Sequence, residues 1–138
     1  KKLVDQKQMA LQIFAFNYSL EDYGAYLLGG LPLGDNTMDD LVAEIDVEIE
    51  KLQNDLISER DYQKLQNQFE NSFVSANSSF EGIAENLASY NQLFGDTNLI
   101  NTEIEIYRSI TREEIREVAK KYLQKQQRVE LKYVPKQD

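Results

Sequence analysis

The side chains that could carry out chemistry in this chain are its carboxylates, because the sequence contains no histidine and no cysteine. Histidine is the commonest general base near neutral pH and the commonest metal ligand, and the thiolate of cysteine is a nucleophile and a zinc ligand. The sequence therefore excludes His-based zinc sites, Ser-His and Cys-His nucleophile pairs, and disulfide bonds.

Two pairs of acidic residues are considered as candidate sites. Glu113 and Glu114 lie at the start of a predicted helix, where the helix dipole and a capping box account for them. Glu103 and Glu105 could ligate Ca²⁺ in principle, but the spacing and central glycine of an EF-hand are missing. We therefore predict no catalytic, cofactor-binding or metal site in this chain.

Composition and charge narrow the possible partners. The 138 residues include 24 acidic and 15 basic ones, which gives a formal charge of −9. Phosphate binding needs a basic face, so we expect no nucleic-acid partner. No run reaches the roughly 18 apolar residues of a membrane span. A hydrophobic fraction of 41% supports a core, and we expect residues 1–138 to form one domain or a fragment of one.

The first third of the chain predicts a β-hairpin. Residues 9–18 alternate so that Leu11 and Ile13 fall on one face and Phe14 and Phe16 on the other. Both faces are partly apolar, which predicts an interior strand or one that is covered on each side. A turn at 19–22 leads to a second predicted strand at 23–31.

Five helices are predicted next, from apolar residues that recur every three or four positions. They cover residues 38–55, 58–76, 80–94, 98–109 and 112–123. Their predicted N-caps are Thr37, Ser58, Thr97 and Thr111, and Gly95 suits a left-handed residue after a helix end. The acidic residues of the first helix are expected to form a solvated face.

The last predicted element is a strand. Val129, Leu131 and Tyr133 alternate with Glu130 and Lys132 in residues 128–134, and Pro135 is expected to end the strand. The order of strand, strand, helices and strand predicts an α+β fold, in which an antiparallel or mixed sheet has several helices packed on one face.

Read as a whole, residues 3–135 resemble the second half of one domain of the insulinase/pitrilysin family of zinc metallopeptidases. The most specific part is Ile110-Thr111-Arg112-Glu113-Glu114-Ile115, followed by residues 118–123 and a strand that ends in Val134-Pro135. The hairpin at 3–30, the helix at 38–55, Ile57-Ser58-Glu59-Arg60-Asp61, and Gly82-Ile83-Ala84 with Leu87 carry the rest.

The resemblance implies a role in proteolysis without catalysis. Such peptidases pair two similar α+β domains, or two subunits, into a chamber that encloses an unfolded peptide. One domain carries the motif His-x-x-Glu-His, and the other is usually inactive. With no histidine, this chain would be a segment of the inactive domain. It would itself hold no cofactor, and zinc would lie in an active partner domain or subunit. Family habit suggests the bacterial periplasm or cell envelope.

The resemblance also points to two positions that would face the substrate. The inactive domain often has an Arg and, seven residues later, a Tyr that contact the peptide near the metal. The corresponding positions here are Val4 and Leu11. Neither side chain can donate a hydrogen bond, so that contact would be altered.

Two functions remain open from the sequence. The first is a non-catalytic segment of a zinc peptidase that forms chamber wall and contacts peptide or a subunit. The alternative is a self-sufficient α+β scaffold that binds protein partners and has no peptidase association.

Overall fold

The computed structural model describes residues 2–20 and 22–134. The chain forms two compact units. The hairpin unit comprises the chain up to Asn54 and from Ala119 onwards, and the helical unit comprises Asp55–Val118. The predicted turn at 19–22 includes Glu21, and the predicted strand end is Pro135; both of these residues lie outside the described ones. The expectation of one domain or a fragment of one stays a prediction.

Two antiparallel strands open the hairpin unit, as the alternation predicts. Strand β1 is Ala10–Ser19 and strand β2 is Gly24–Pro32, with Phe14 opposite Gly29 and a bulge between Ala10 and Gln12. A Cβ atom at Gly29 would collide with the ring of Phe14. Glycine is therefore required here for the ring to lie across the neighbouring strand.

Helix α1, Met38–Asn54, packs against β2. It begins with a capping box in which the Thr37 hydroxyl accepts from the backbone N–H of Asp40, and the Asp40 carboxylate accepts from the backbone N–H of Thr37. This confirms the predicted N-cap. A π-helix, Lys2–Gln6, precedes the hairpin and contacts β1.

The core of the hairpin unit is small. Its buried apolar side chains are Leu3, Ala10, Leu41 and Ala119, each between 1% and 7% exposed. They come from the π-helix, β1, α1 and helix α5 (Arg112–Tyr122). Gln53 joins two of these elements, since its amide donates to the backbone carbonyls of Ala119 and Leu123.

The helical unit contains α2 (Glu59–Ala76), α3 (Phe80–Phe94), α4 (Leu99–Ser109) and the start of α5 (Arg112–Tyr122). Most of the predicted helix ends are confirmed. Ser58 caps α2 by accepting from Asp61, Thr111 and Glu114 form a full capping box, and Gly95 has a φ of 67° after α3.

Two predictions about the elements are wrong. Residue 98, not Thr97, is the N-cap of α4, and its side chain makes no capping hydrogen bond. The predicted strand at 128–134 is absent, because a strand needs a hydrogen-bonded neighbour and the described residues supply none. A short 3-10 helix, Lys125–Gln127, precedes this stretch. The α+β class with an antiparallel sheet is confirmed.

Candidate functional site

The two strands of the hairpin carry several large apolar side chains that are exposed. Neither β1 nor β2 contains a charged residue. Six of its large apolar side chains are 45–63% exposed, and we call them the hairpin surface: Leu11, Phe14, Phe16, Tyr18, Tyr26 and Leu31. By the register, Phe14, Phe16, Tyr18 and Leu31 lie on one face of the hairpin, and Tyr26 lies on the other. Scattered exposed apolar residues are normal, but several on one face of two uncharged strands are typical of a contact surface.

The two faces of the hairpin differ in what covers them. On one face, the end near Gly30 lies close to Leu41 of α1. On the other face, Phe14 and Phe16 lie with ring centroids 6.0 Å apart, and no described residue of the hairpin unit covers them enough to bury them. The expectation that both faces are covered is therefore not met by the described part of this unit. The alternating pattern identified two partly apolar faces, but it could not show what would cover them.

The two positions assigned by resemblance lie on neighbouring elements. Val4 is half-buried in the π-helix, and Leu11 lies at the bulge of β1 with 63% of its side-chain surface exposed. Because the π-helix contacts β1, the fold brings these elements together. Lys7, the nearest basic residue, is paired with Glu44 of α1. A substrate-facing role for Val4 and Leu11 stays a prediction.

Helix α1 presents a row of carboxylates that are paired with cations, and not simply solvated as the sequence suggested. Lys2 binds Glu48 at 2.6 Å, and Arg128 binds Asp46. Hydrogen bonding from Arg128 lowers the pKa of Asp46 below its usual range, and hydrogen bonding from Lys2 does the same to the pKa of Glu48. The pairs keep these carboxylates ionised and anchor flanking segments to α1.

Two tyrosine hydroxyls of the helical unit donate hydrogen bonds to acceptors within the unit. The Tyr62 hydroxyl donates to the carbonyl of Ile110 at 2.6 Å, and the Tyr90 hydroxyl donates to the Glu103 carboxylate. Burial, and then the hydrogen bond to Glu103, raise the pKa of Tyr90 to about 12. A phenol that holds its proton this strongly is a structural donor at neutral pH, not a general base.

No metal-binding group stands out among residues 2–20 and 22–134, where no set of three or more His, Cys, Asp or Glu side chains is placed to hold an ion. In the same ranges, no helix combines the length and the apolar character that crossing a membrane requires.

Comparisons with known proteins identify the fold. Models of protein families gave no match, and curated protein sequences gave none either. Among solved structures, the chain is similar to a protease from Helicobacter pylori, with a TM-score of 0.82 and 24% identity over 91% of this chain and 30% of that one. It is also similar to a "putative zinc protease" from Bordetella pertussis Tohama I, with a TM-score of 0.79 and 18% identity over 94% of this chain and 71% of that one.

These likenesses give the chain a protease-like α+β fold. The chain spans 30% of the length of the Helicobacter protein, so that protein contains much that this chain does not. An activity of the whole protein therefore comes to this chain only as a proposal.

Proposed function

We propose that this chain is a non-catalytic segment of an insulinase/pitrilysin-type zinc peptidase, where it forms part of the chamber wall and contacts peptide or a partner subunit. The observation that carries the proposal is the uncharged, exposed hairpin surface on a fold shared with protease structures. Zinc would belong to the active partner, because the present chain has no histidine or cysteine to offer it.

The hairpin surface fits such a contact on physical grounds. Apolar aromatic side chains supply most of the binding energy at protein interfaces, and strand edges add backbone hydrogen bonds that ask little of the sequence. A peptide or strand that lies along β1 would meet Phe14, Phe16 and Tyr18, which alternate along one face. Val4 and Leu11 stand where the family often has an Arg and a Tyr, so this contact would rely on backbone and apolar groups.

A pair of matched leucine variants tests the proposal in a binding titration against a zinc-motif peptidase subunit encoded beside this chain. Leu11→Ser removes an apolar group from the hairpin surface, and Leu65→Ser removes one of similar exposure, 51%, from the helical unit. We expect Leu11→Ser to weaken binding about tenfold, since burying a leucine contributes about 1.5 kcal/mol or more, and Leu65→Ser to change it less than twofold.

Equal effects of the two variants would contradict the assignment of the contact to the hairpin surface. If the unmodified chain binds no peptidase subunit but captures another folded protein, the alternative of a protein-binding scaffold without peptidase association replaces the proposal.

A further inference from the structure

Residues 2–9, which we call the entry segment, depart from ordinary backbone geometry at two points. Lys2–Gln6 forms a π-helix, in which the N–H of Lys7 donates to the carbonyl of Lys2 at 2.9 Å. Gln8 follows with a φ of 51°, in the left-handed region. π-Helices are rare, and a left-handed residue other than glycine costs free energy. Such an arrangement persists only where the surrounding contacts hold it.

Both ends of the entry segment are anchored within the hairpin unit. Leu3 is buried, and the N–H of Met9 donates to the carbonyl of Leu3 at 2.9 Å. The left-handed conformation of Gln8 makes this closing bond possible, as at the ends of many helices. The carbonyl of Met9 in turn accepts from the N–H of Leu33, the residue after β2. The left-handed turn therefore joins the π-helix directly to the hairpin.

Two lysines of the entry segment pair with two glutamates that lie four positions apart on α1. Lys2 binds Glu48 at 2.6 Å, and Lys7 binds Glu44. Lys51 of α1 also binds Glu48, at 2.9 Å. The pairing is antiparallel, because the earlier lysine meets the later glutamate. The entry segment is therefore attached to α1 by charge at both of its lysines.

This pairing matches a π-helix better than an α-helix. Positions 44 and 48 are neighbours on one side of α1, since residues four apart face the same way on an α-helix. Lys2 and Lys7 are five positions apart, and their hydrogen bond brings them to nearly the same side of the π-helix. On an α-helix, residues five apart differ by about 140° around the axis. The two ion pairs together therefore favour the π-helix.

The ion pairs and the left-handed turn oppose each other. The four paired side chains are 24–42% exposed, so dissolved ions screen them and each pair contributes little. The left-handed backbone at Gln8 is unfavourable, because a residue with a Cβ atom crowds the following carbonyl oxygen there. When two small contributions of opposite sign nearly cancel, a change in either one shifts the conformation of the segment.

We propose that the two lysine–glutamate pairs hold the entry segment as a π-helix with a left-handed Gln8, and that screening of the pairs shifts the segment to an α-helix. The entry segment is then a conformational switch that responds to ionic strength. Because the sheet fixes Met9, the shift rotates the residues before Lys7, Val4 among them, about the helix axis. This switch goes beyond the proposed function and does not depend on it.

Nuclear magnetic resonance at residue 8 tests the switch directly. The amide and α protons of one residue lie closest together where φ is positive, so their nuclear Overhauser effect reports the left-handed fraction. We expect Lys7→Gln to lower the ratio of left-handed to right-handed conformers about two- to fivefold, as the loss of one exposed ion pair would. The control Glu50→Gln removes an α1 carboxylate that binds Lys125, and it should leave the ratio unchanged.

Salt should act on the unmodified chain in the same direction. Raising the ionic strength from about 0.01 M to about 1 M shortens the Debye length about tenfold. We expect the left-handed ratio to fall at least twofold, and to fall less in Lys7→Gln, which has already lost one pair. A ratio that does not respond to salt in the unmodified chain would contradict the proposal.

Charge exchange gives a second, independent readout. Lys7→Glu alone opposes Glu44 and should lower the left-handed ratio further, with faster amide exchange at Met9 as its bond to Leu3 is lost. Adding Glu44→Lys restores opposite charges and should recover most of both signals. Equal ratios in Lys7→Gln and Glu50→Gln would overturn the proposal, as would a double exchange that behaves like Lys7→Glu alone.

Discussion

The hairpin unit and the helical unit use their apolar residues differently. The helical unit stacks Phe69 on Tyr107, with ring centroids 3.3 Å apart, and the hydroxyls of Tyr62 and Tyr90 donate to acceptors within the unit. Among residues 2–20 and 22–134, the four buried apolar side chains all lie in the hairpin unit, which leaves its uncharged strands exposed, while the apolar side chains of the helical unit are half-buried or exposed. The comparison teaches that an apolar pattern alone does not mark a core, since both units leave large apolar side chains exposed, on the strands in one unit and on helices in the other.

The two units also differ in where their charged side chains lie. In the hairpin unit, charged side chains are concentrated on α1 and on the segments paired with it, and the strands have none. In the helical unit, ion pairs such as Arg108 with Glu70, at 2.5 Å, lie beside the aromatic stack. The hairpin unit therefore separates its uncharged strands from the charged helix α1 and the segments that are paired with it.

Removing an aromatic ring should give the largest difference in the free energy of unfolding between the two units. Phe69→Ala takes away the half-buried ring that stacks on Tyr107, so we expect the free energy of unfolding to fall by about 3 kcal/mol. The matched control Phe14→Ala removes a ring that is 45% exposed and should cost about 1 kcal/mol or less. Urea denaturation followed by circular dichroism measures both. Equal losses would mean that the hairpin surface is part of the core.

High pH should weaken the helical unit through Tyr90. Its pKa is raised to about 12 in the folded chain, so its contribution is complete below the ordinary tyrosine pKa of about 10 and is lost as the pH rises through 12. We expect Tyr90→Phe to reduce the loss of the free energy of unfolding at alkaline pH by up to about 2 kcal/mol. Urea denaturation at pH 8 to 12 measures it, and an unchanged slope would show that the hydrogen bond to Glu103 does not matter to stability.

Helix capping should contribute a smaller and local effect. Ser58→Ala removes the hydroxyl that accepts from Asp61 and should cost about 1 kcal/mol. Asn98→Ala is the matched control at the N-cap of α4. The Asn98 side chain makes no capping hydrogen bond, so the substitution should cost less than about 0.5 kcal/mol. Thermal unfolding compares the two variants. A larger loss from Asn98→Ala would contradict the assigned helix start.

Acid should weaken the hairpin unit through its ion pairs, with the smallest effect for a single residue. The folded-state pKa of Asp46 is lowered by Arg128, so its contribution is present above the ordinary carboxyl range and is lost as the pH falls through the lowered pKa. We expect Asp46→Asn to make stability less dependent on pH below about 4. The pKa of Glu48 stays lowered in this variant, so some dependence of stability on pH remains. Amide exchange along α1 would show whether the loss lies in this unit.

Local features of this fold could be predicted from the sequence. The capping boxes at Thr37 and Thr111 involve residues three apart, and the hairpin follows from short-range alternation. Strand pairing between residues that are distant in sequence could not be predicted, because the pattern of residues 128–134 does not depend on whether a neighbouring strand exists. The bond between Arg128 and Asp46 likewise joins residues 82 positions apart. Of the candidate site, the sequence identified the apolar strands but not their exposure.

Zinc content and peptide hydrolysis, measured for the purified chain alone and mixed with a zinc-motif peptidase subunit encoded beside it, test most directly whether this chain assists catalysis without performing it. We expect no stoichiometric zinc and no hydrolysis by the chain alone, and faster hydrolysis by the partner when the chain is added. Stoichiometric zinc or peptide cleavage in the chain alone would contradict the account, as would a partner whose activity does not change.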